Sequence, residues 1–331
     1  MTLDTDGMNV APHTPDVSAV GAVSVTVVIC AYSTERWELL CSSVESALHQ
    51  DHPLDQILLV IDHNDELHRQ ALRYFGQETR VTVLQNRFAR GLSGARNTGV
   101  QASTGTVVAF LDDDAAAEPD WSHALVSHYH DPDVAVVGGH AEPRWPGARP
   151  SWFPEEFDWV VGCSYRGQPR TVALVRNPLG CNMSIRRDVL DDVGGFDGAV
   201  GRIGSIPTGC EETELCIRIR QHCPTAQIVY DPGIRVHHYV ALERITSRYF
   251  YRRCYHEGRS KAVMSRLVGA ADGLRSERVY TRTVLPTAVL RSLMNPRNGG
   301  IQRGAAVIAG LAVTATGYAH GRALAIANGV R

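Results

Sequence analysis

Three consecutive carboxylates, Asp112, Asp113 and Asp114, directly follow the short apolar run Thr106–Leu111. A run rich in valine, threonine and phenylalanine predicts a buried strand, and three acids at its carboxyl end repel one another without helping that strand. Hard divalent cations bind carboxylate oxygens, and ligands of open α/β sheets bind at the carboxyl ends of the strands. The triplet therefore predicts a metal site that serves a diphosphate substrate. The alternative is an exposed acidic turn that opens the next helix.

The elements around the triplet alternate between strand and helix patterns. The predicted strands are Val23–Ala31, Gln56–Asp62, Arg80–Gln85, Thr106–Leu111 and Val134–Gly138. The predicted helices between them are Glu35–Gln50, Glu66–Phe75, Gly91–Gln101 and Pro119–His130. This alternation indicates a parallel, doubly wound sheet, so we expect residues 20–140 to form a nucleotide-binding half.

The pattern changes after Glu142, where aromatic residues fall among prolines and glycines: Trp145, Trp152, Phe153, Phe157 and Trp159. This segment fits a loop-rich lining of a cleft, and ordinary surface packing fits it equally well. Further along, the patterns predict helices at Asp188–Val193 and Glu211–Gln221, and short strands at Ile228–Tyr230 and Ile234–His238 on either side of an Asp-Pro-Gly turn.

The composition narrows the class of protein. The chain has 331 residues, of which 44% are hydrophobic, and a formal net charge of −2. This is enough for one large domain with an extension, and near-neutrality argues against a nucleic-acid-binding protein. Eight cysteines without a CxxC pair favour free thiols in a reducing compartment over a disulfide framework. Residues 1–22 are acidic and lack the apolar core of a secretory signal, so we predict a disordered tail.

The C-terminal part is rich in arginine and tyrosine and contains a run of small apolar residues, Ala305–Ala319. Its length is below the roughly 20 residues that span a bilayer. Both a packed core helix and a helix lying in the membrane interface fit this run. The flanking arginines slightly favour the interface.

The motifs in their order along the chain resemble those of the family-2 glycosyltransferases. The first half carries Ala31-Tyr32, Asp62, Gly91–Asn97 (GLSGARN) and the acid triplet. The second half carries Gly180–Ser184 (GCNMS), the turn Gly194–Asp197 (GGFD) and Gly209–Arg218 (GCEETELCIR). The resemblance implies an α/β fold of the GT-A (Rossmann-like) nucleotide-diphospho-sugar transferase type, with a mostly parallel sheet flanked by helices. It would cover residues 23–240, with the nucleotide-sugar half in 23–140, the acceptor and catalytic half in 141–240 and a helical extension in 241–331.

The resemblance also implies roles for individual residues of the nucleotide-sugar half. Asp62 would accept a hydrogen bond from the imide of uracil or thymine, and Asp112 would contact the ribose. Histidine at position 63 replaces a second Asp of many relatives, so the nucleotide stays open. The other residues expected around the nucleotide sugar are Ala31, Tyr32, Glu35, Gly91, Arg96, Asn97 and Asp113. For Arg96 and Asn97, the alternative to contact with the nucleotide sugar is a structural role as a salt bridge and a cap of the helix.

By the same resemblance, Asp114 would bind Mg²⁺ or Mn²⁺, which offsets the charge of the departing diphosphate. His237 would complete the metal site. One alternative is that His238 does so instead, and the other is that the residue is a strand-end histidine without a ligand role.

The catalytic base is expected at the start of the helix at Glu211. In-line attack with inversion requires a base on the face opposite the leaving group, and Glu212 aligns with the Asp of the family's Glu-Asp motif. The Glu211-Glu212 pair departs from that motif, so Glu211 could share the role. The expected acceptor-side residues are Gly180, Cys181, Asn182, Glu211 and Trp159.

Together these features predict a metal-dependent, inverting transferase that moves a sugar from a UDP- or dTDP-sugar to a hydroxyl of a glycan, a lipid-linked saccharide or a small metabolite. By family resemblance it would serve cell-envelope or exopolysaccharide synthesis in the cytoplasm, with membrane contact through the C-terminal extension as an option. The alternatives are a non-catalytic nucleotide-binding or scaffold protein on this fold and a sugar-phosphate nucleotidyltransferase. The latter is disfavoured because no glycine-rich loop with lysine follows the first strand.

Overall fold

The computed structural model describes residues 23–198, 209–269 and 273–327, so the predicted N-terminal tail lies outside the described residues. Nine strands form one sheet. They are β1 (Val25–Ala31), β2 (Gln56–Ile61), β3 (Val81–Gln85), β4 (Val107–Asp112), β5 (Ala115–Ala117), β6 (Val134–Arg144), β7 (Ala173–Leu174), β8 (Asn182–Arg186) and β9 (Gln227–Tyr239). The order across the sheet is β3-β2-β1-β4-β8-β6-β9-β5, and β7 pairs with β9.

The helices flank the sheet and continue beyond it. They are α1 (Trp37–Leu48), α2 (Asp65–Phe75), α3 (Leu92–Ala102), α4 (Trp121–His128), α5 (Arg187–Val193), α6 (Glu211–His222), α7 (Ser247–Leu267), α8 (Arg275–Val279), α9 (Leu285–Met294) and α10 (Gly300–Ala327). The α/β alternation predicted for the first half is confirmed, with helix and strand ends shifted by a few residues.

The sheet is parallel only through the nucleotide half. Strands β3, β2, β1 and β4 pair in parallel, whereas β8 runs antiparallel to both β4 and β6. Strand β9 is parallel to β6 and antiparallel to β5 and β7. The expectation of a mostly parallel sheet is therefore corrected to a mixed sheet, because β8 enters between β4 and β6 from the opposite direction.

The central strands are apolar along their whole length because helices cover both faces of a parallel sheet. Val27 and Ile29 pack with Leu40 and Val44 of α1 on one face. Val28 packs on the other face with α3, where a Cβ on Gly99 would come within 2.3 Å of the Val28 side chain. This close packing fixes α3, and the loop before it, against the ends of the strands.

The second half departs from the prediction in two places. The two strands predicted around Asp231-Pro232-Gly233 are one continuous strand, β9, which pairs with β6 across a register shift at Gly139/His140. The unpaired residues between Asp231 and Arg235 form a bulge rather than a hairpin turn. Strand β8 was not predicted, although its residues Asn182–Arg186 alternate between polar and apolar in the way typical of a strand. This segment was interpreted only as part of an acceptor-side motif.

The aromatic segment and the C-terminal helices share a third core. Phe153 and Phe157 are buried against Phe250 of α7, Leu285 of α9 and Val307 of α10. Most of this segment is therefore core. One face of α10 is packed in this way, while its Ile301 and Ile308 are exposed, so the interfacial role stays a prediction for the outer face. Among the described residues, no helix has both the length and the apolarity needed to cross a membrane.

Candidate active site

A cleft of about 290 Å³ opens at the carboxyl ends of β1, β2 and β4. The first half of the chain contributes the residues just past these strand ends. The second half contributes the segment before β8 and the N-terminus of α6. The residues predicted for the site that line this cleft are Ala31, Tyr32, Asp62, Gly91, Arg96, Asp112, Asp113, Asp114, Trp159, Gly180, Cys181, Glu211 and Glu212.

Asp62 supports the loop between β3 and α3 as well as lining the cleft. Asn86 Nδ2 donates to Asp62 Oδ1 at 2.7 Å, and the Gly91 backbone N–H donates to Asp62 Oδ2 at 3.0 Å. Gly91 has a φ of 137°, which favours glycine. The Asp62 carboxylate is thus fixed in place, and its side chain is still 11% exposed to the cleft.

The three acids differ in their surroundings. Asp112 is the most exposed, whereas Asp113 and Asp114 are both 5% exposed. Arg36 lies 2.8 Å from Asp113 and 3.2 Å from Asp114, and Arg244 lies 3.4 Å from Asp114. Burial, together with the charge of Asp114, raises the pKa of Asp113 to about 7. Arg36 and Arg244 therefore compensate the negative charge of an acid pair that burial alone would keep protonated.

His238, and not His237, faces the acids. His238 Nε2 is 3.2 Å from Asp114 Oδ1, and the side chain is buried in the cleft wall. His237 lies outside the cleft and pairs with Glu118 at 3.2 Å, because adjacent residues of a strand point to opposite faces. The prediction for His237 is corrected to its alternative, His238. Burial lowers the pKa of His238, which keeps the imidazole neutral.

One set of possible metal ligands lies in this cleft. A carboxylate oxygen of Asp112, the thiol of Cys181 and a ring nitrogen of His238 all lie within 4.8 Å of one another. Hard divalent cations prefer oxygen ligands to a thiol, so Cys181 is the least suited of the three. The carboxylate and the imidazole are the groups that could hold a cation here.

Arg96 joins the two halves of the site. Its guanidinium is 2% exposed and lies 3.2 Å from Glu211, 3.4 Å from Asp112 and 3.0 Å from the Gly180 carbonyl. A Cβ on Gly180 would come within 2.9 Å of this guanidinium, so glycine leaves the space it needs. Arg96 therefore places an acid of the nucleotide half beside an acid of the acceptor half.

Glu212 follows Glu211 in the first turn of α6 and stays half-buried in the cleft. Burial and the neighbouring Glu211 raise the pKa of Glu212 to about 8. Glu214 instead forms an ion pair with Arg218 at 2.7 Å, outside the cleft. A carboxyl group with a pKa near neutrality, open to a cleft, can exchange a proton with a bound ligand.

Three further predicted residues do not line the cleft. Glu35 is exposed in the short turn before α1. Asn97 exchanges hydrogen bonds with the Phe196 backbone at 2.8 and 2.9 Å, which ties a turn of the second half to α3. Asn182 is fully buried and donates to the carbonyls of His140 and Ile234. The prediction that these three residues contact the substrate is therefore corrected, because their side chains do not line the cleft.

Several basic residues of the cleft were not predicted. Arg36, Arg90, Arg244 and Arg253 all line it. Arg244 and Arg253 belong to the arginine-rich stretch noted in the sequence, but such a stretch does not reveal which arginines turn inward.

Comparison with known proteins gives consistent matches. A family model described as glycosyl transferase family 2 matches residues 26–194. A glucosyl-dolichyl phosphate glucuronosyltransferase of Haloferax volcanii is 36% identical over 304 residues, which cover 90% of this chain and 96% of that protein. A pre-mycofactocin glycosyltransferase of Mycobacterium tuberculosis is 28% identical over 55% of this chain and 37% of its own length.

Solved structures share the fold. A mannosyltransferase from Pyrobaculum calidifontis in complex with GDP-Man and Mn²⁺ has a TM-score of 0.58 at 18% identity, covering 94% of this chain and 90% of its own. GalNAc-T7 with UDP, GalNAc and Mn²⁺ has a TM-score of 0.52 at 20% identity, covering 72% of this chain and 48% of its own. The predicted GT-A fold is therefore confirmed.

Proposed function

The chain belongs to glycosyl transferase family 2, and we propose that it moves a sugar, with inversion, from a nucleoside diphosphate sugar to a hydroxyl group. The observation that carries this proposal is the cleft itself. Asp112 from the nucleotide half and the Glu211-Glu212 pair from the acceptor half meet there across Arg96. The acid-rich end of β4 suits a sugar donor on one side of the cleft. The carboxyl of Glu212, with its raised pKa, suits an acceptor hydroxyl on the other side.

The donor would bind where β1 and β2 end. Asp62, held by Asn86 and Gly91, would accept a hydrogen bond from a base imide, and the exposed ring of Tyr32 lines the same cleft. We favour UDP or dTDP as the nucleotide on this ground. The ribose would lie at Asp112, the most exposed of the three acids.

The residues present fit a divalent cation, Mg²⁺ or Mn²⁺. Within the described residues, Asp113 Oδ2 and His238 Nδ1 are buried without a hydrogen-bond partner. Carboxylate oxygens and a neutral imidazole are ligands that these cations accept. Asp112 and His238, whose ligand atoms lie within 4.8 Å of each other, would hold the ion together with Asp114, which lies 3.2 Å from His238. When bound, it compensates the negative charge that develops on the departing diphosphate. The solved mannosyltransferase contains Mn²⁺, which supports this proposal.

Glu212 would be the base. Its carboxylate takes the proton of the acceptor hydroxyl while the hydroxyl oxygen bonds to the anomeric carbon of the donor. The bond from that carbon to the diphosphate oxygen breaks, and the nucleoside diphosphate leaves with the electron pair. A base works best with a pKa near the working pH, and the raised pKa of Glu212, about 8, meets that condition.

The acceptor would be a glycan, a lipid-linked saccharide or a small metabolite. The relative from Haloferax volcanii is named for transfer to a glucosyl-dolichyl phosphate and spans nearly the same length. That likeness supports the lipid-linked class for this chain.

Thermal unfolding with UDP-, dTDP- and GDP-sugars, each with and without Mn²⁺, tests the donor site. A ligand that binds only the native state raises the Tm by mass action, so we expect a metal-dependent rise with a UDP- or dTDP-sugar. No rise with any donor would refute the assignment of the cleft. A rise without turnover on glycan, lipid-linked and small acceptors would instead indicate a non-catalytic nucleotide-binding protein.

A further inference from the structure

A second cavity, of about 360 Å³, lies on the other side of Glu212. It is enclosed by α6, by the segment before it and by the C-terminal helices. Four residues line both the cleft and this cavity: Trp159, Leu179, Glu212 and Arg253. The two spaces are therefore neighbours, and Glu212 faces both.

Much of the lining of the second cavity is apolar. Its lining includes Phe157, Leu274, Leu285, Leu311 and Ala315. Trp159 lines both spaces together with Glu212. Its indole N–H donates to the Tyr280 hydroxyl at 3.3 Å, and the Tyr165 and Tyr280 ring centroids are 5.6 Å apart. Pockets that bury an organic ligand are lined in this way, with apolar walls and few polar groups. Trp159 thus lies where the cavity meets the cleft, whereas Leu311 and Ala315 of α10 are exposed at the surface.

The charged residues of this cavity are already paired with one another. Lys261 lies 2.6 Å from Glu277 and 2.9 Å from Glu257. Arg176 contacts both Glu277 oxygens, at 2.6 and 3.0 Å, and Arg253 lies 2.6 Å from Glu257. These cations lower the pKa of Glu277 to about 2. Each of these charges would keep its partner when an apolar ligand binds. Binding would therefore avoid the usual cost of burying a charge without a partner.

The cavity reaches the surface along α10. Leu311, Ala315 and Tyr318 recur at helical spacing and so share one face of this helix. Leu311 is 37% exposed and Ala315 is exposed as well. Helix α10 is held close to α7, because a Cβ on Gly258 would come within 2.0 Å of the Thr314 carbonyl and one on Gly317 within 2.1 Å of the Tyr255 carbonyl. The exposed edge of the cavity is therefore a fixed part of the fold.

We propose that this cavity binds the apolar chain of an amphiphilic, lipid-linked acceptor whose sugar end lies between Trp159 and Glu212. The proposal rests on the proposed function for the identity of the reacting end. The chain lies along the aliphatic wall and leaves over Leu311 and Ala315. A free glycan or a small polar metabolite would leave this wall unfilled.

A matched pair of variants on α10 tests the assignment. Ala315→Trp fills the exposed edge of the cavity, whereas Ala312→Trp adds the same side chain three residues away at an exposed position that does not line the cavity. The probes are farnesyl phosphate, kept below its micellar concentration, and isopentenyl phosphate, which has the same head group and one isoprene unit. Binding is measured by titration calorimetry on the full chain.

Farnesyl phosphate is expected to bind the wild type and Ala312→Trp alike and to bind Ala315→Trp about tenfold more weakly, while isopentenyl phosphate binds none of them. Equal binding by the two variants, equal binding of the two phosphates, or no binding of farnesyl phosphate would overturn the proposal. The Tm rise caused by a UDP-sugar with Mn²⁺ serves as a separate readout and is expected in both variants. Its absence from the wild type would contradict the proposed donor site without bearing on the cavity.

Discussion

The pH dependence of transfer tests Glu212 as the base. Burial and the charge of Glu211 raise the pKa of Glu212 to about 8. A general base acts only when it is deprotonated, so kcat/KM is expected to rise with pH. With a pKa near 8, about a tenth of the base is ionised at pH 7 and about nine tenths at pH 9, so the expected rise is about tenfold.

Removing the charge next to Glu212 tests the cause of this pKa. Glu211→Gln deletes a negative charge that disfavours ionisation of Glu212, and Arg96 remains beside the pair. The pKa of Glu212 is therefore expected to fall, and the rising part of the profile moves to lower pH. Because the substitution also alters the contact with Arg96, the readout is the position of the rise rather than the maximal rate.

The matched control is Glu214→Gln, which removes an acid of the same helix that pairs with Arg218 outside the cleft. Its profile is expected to stay where the wild-type profile lies. The measurement is kcat/KM between pH 5.5 and 9.5, taken with Mg²⁺ and again with Mn²⁺ because hydrolysis of the two aqua ions differs. A rise that shifts with the metal but not with Glu211→Gln would contradict Glu212 as the base. So would a rise at the ordinary pKa of a glutamate.

Three other substitutions have definite expected outcomes. Arg96→Met leaves Glu211 buried without its cation, so urea unfolding should show a loss of about 3–5 kcal/mol; an unchanged midpoint would contradict that. Asp114→Asn should abolish the Mn²⁺-dependent part of the donor-induced Tm rise, whereas Glu118→Gln, outside the cleft, should keep it. Glu277→Gln should cost about 3 kcal/mol, because half-buried Arg176 loses its carboxylate partner and Lys261 keeps only Glu257. The folded-state pKa of Glu277 is depressed to about 2. Its contribution to the free energy of unfolding is therefore complete above the ordinary glutamate pKa and is lost as the pH falls towards 2. A Tm equal in wild type and variant at neutral pH would argue against this contribution.

The first half of the fold could be predicted because its signals are local. Each of β1, β2 and β4 is a short apolar run, and the acid triplet follows directly on β4. The alternating residues of β8 are also a local strand signal. Its place between β4 and β6 could not be predicted, because that place depends on pairing with residues far away in the chain. Local pattern also cannot show that β9 continues through a bulge.

The histidines show the same limit within the site. His237 and His238 are neighbours in β9, so one faces the acids and the other faces away. The register decides which: His238 pairs with Ala115 and His237 with Ala116. The motif limited the predicted ligand to two residues, and only the tertiary pairing shows that His238 is the one facing the acids.

The C-terminal helices belong to the site rather than forming an appendage to it. Arg244, just past the predicted domain boundary at 240, lies 3.4 Å from Asp114, and Arg253 of α7 lines the cleft beside Glu212. The third core also crosses that boundary, since Phe153 packs on Phe250 with ring centroids 5.4 Å apart. A chain that ended at residue 240 would expose this core and remove an arginine that compensates the buried acids. The unit that holds the acid triplet in its paired state therefore includes the extension.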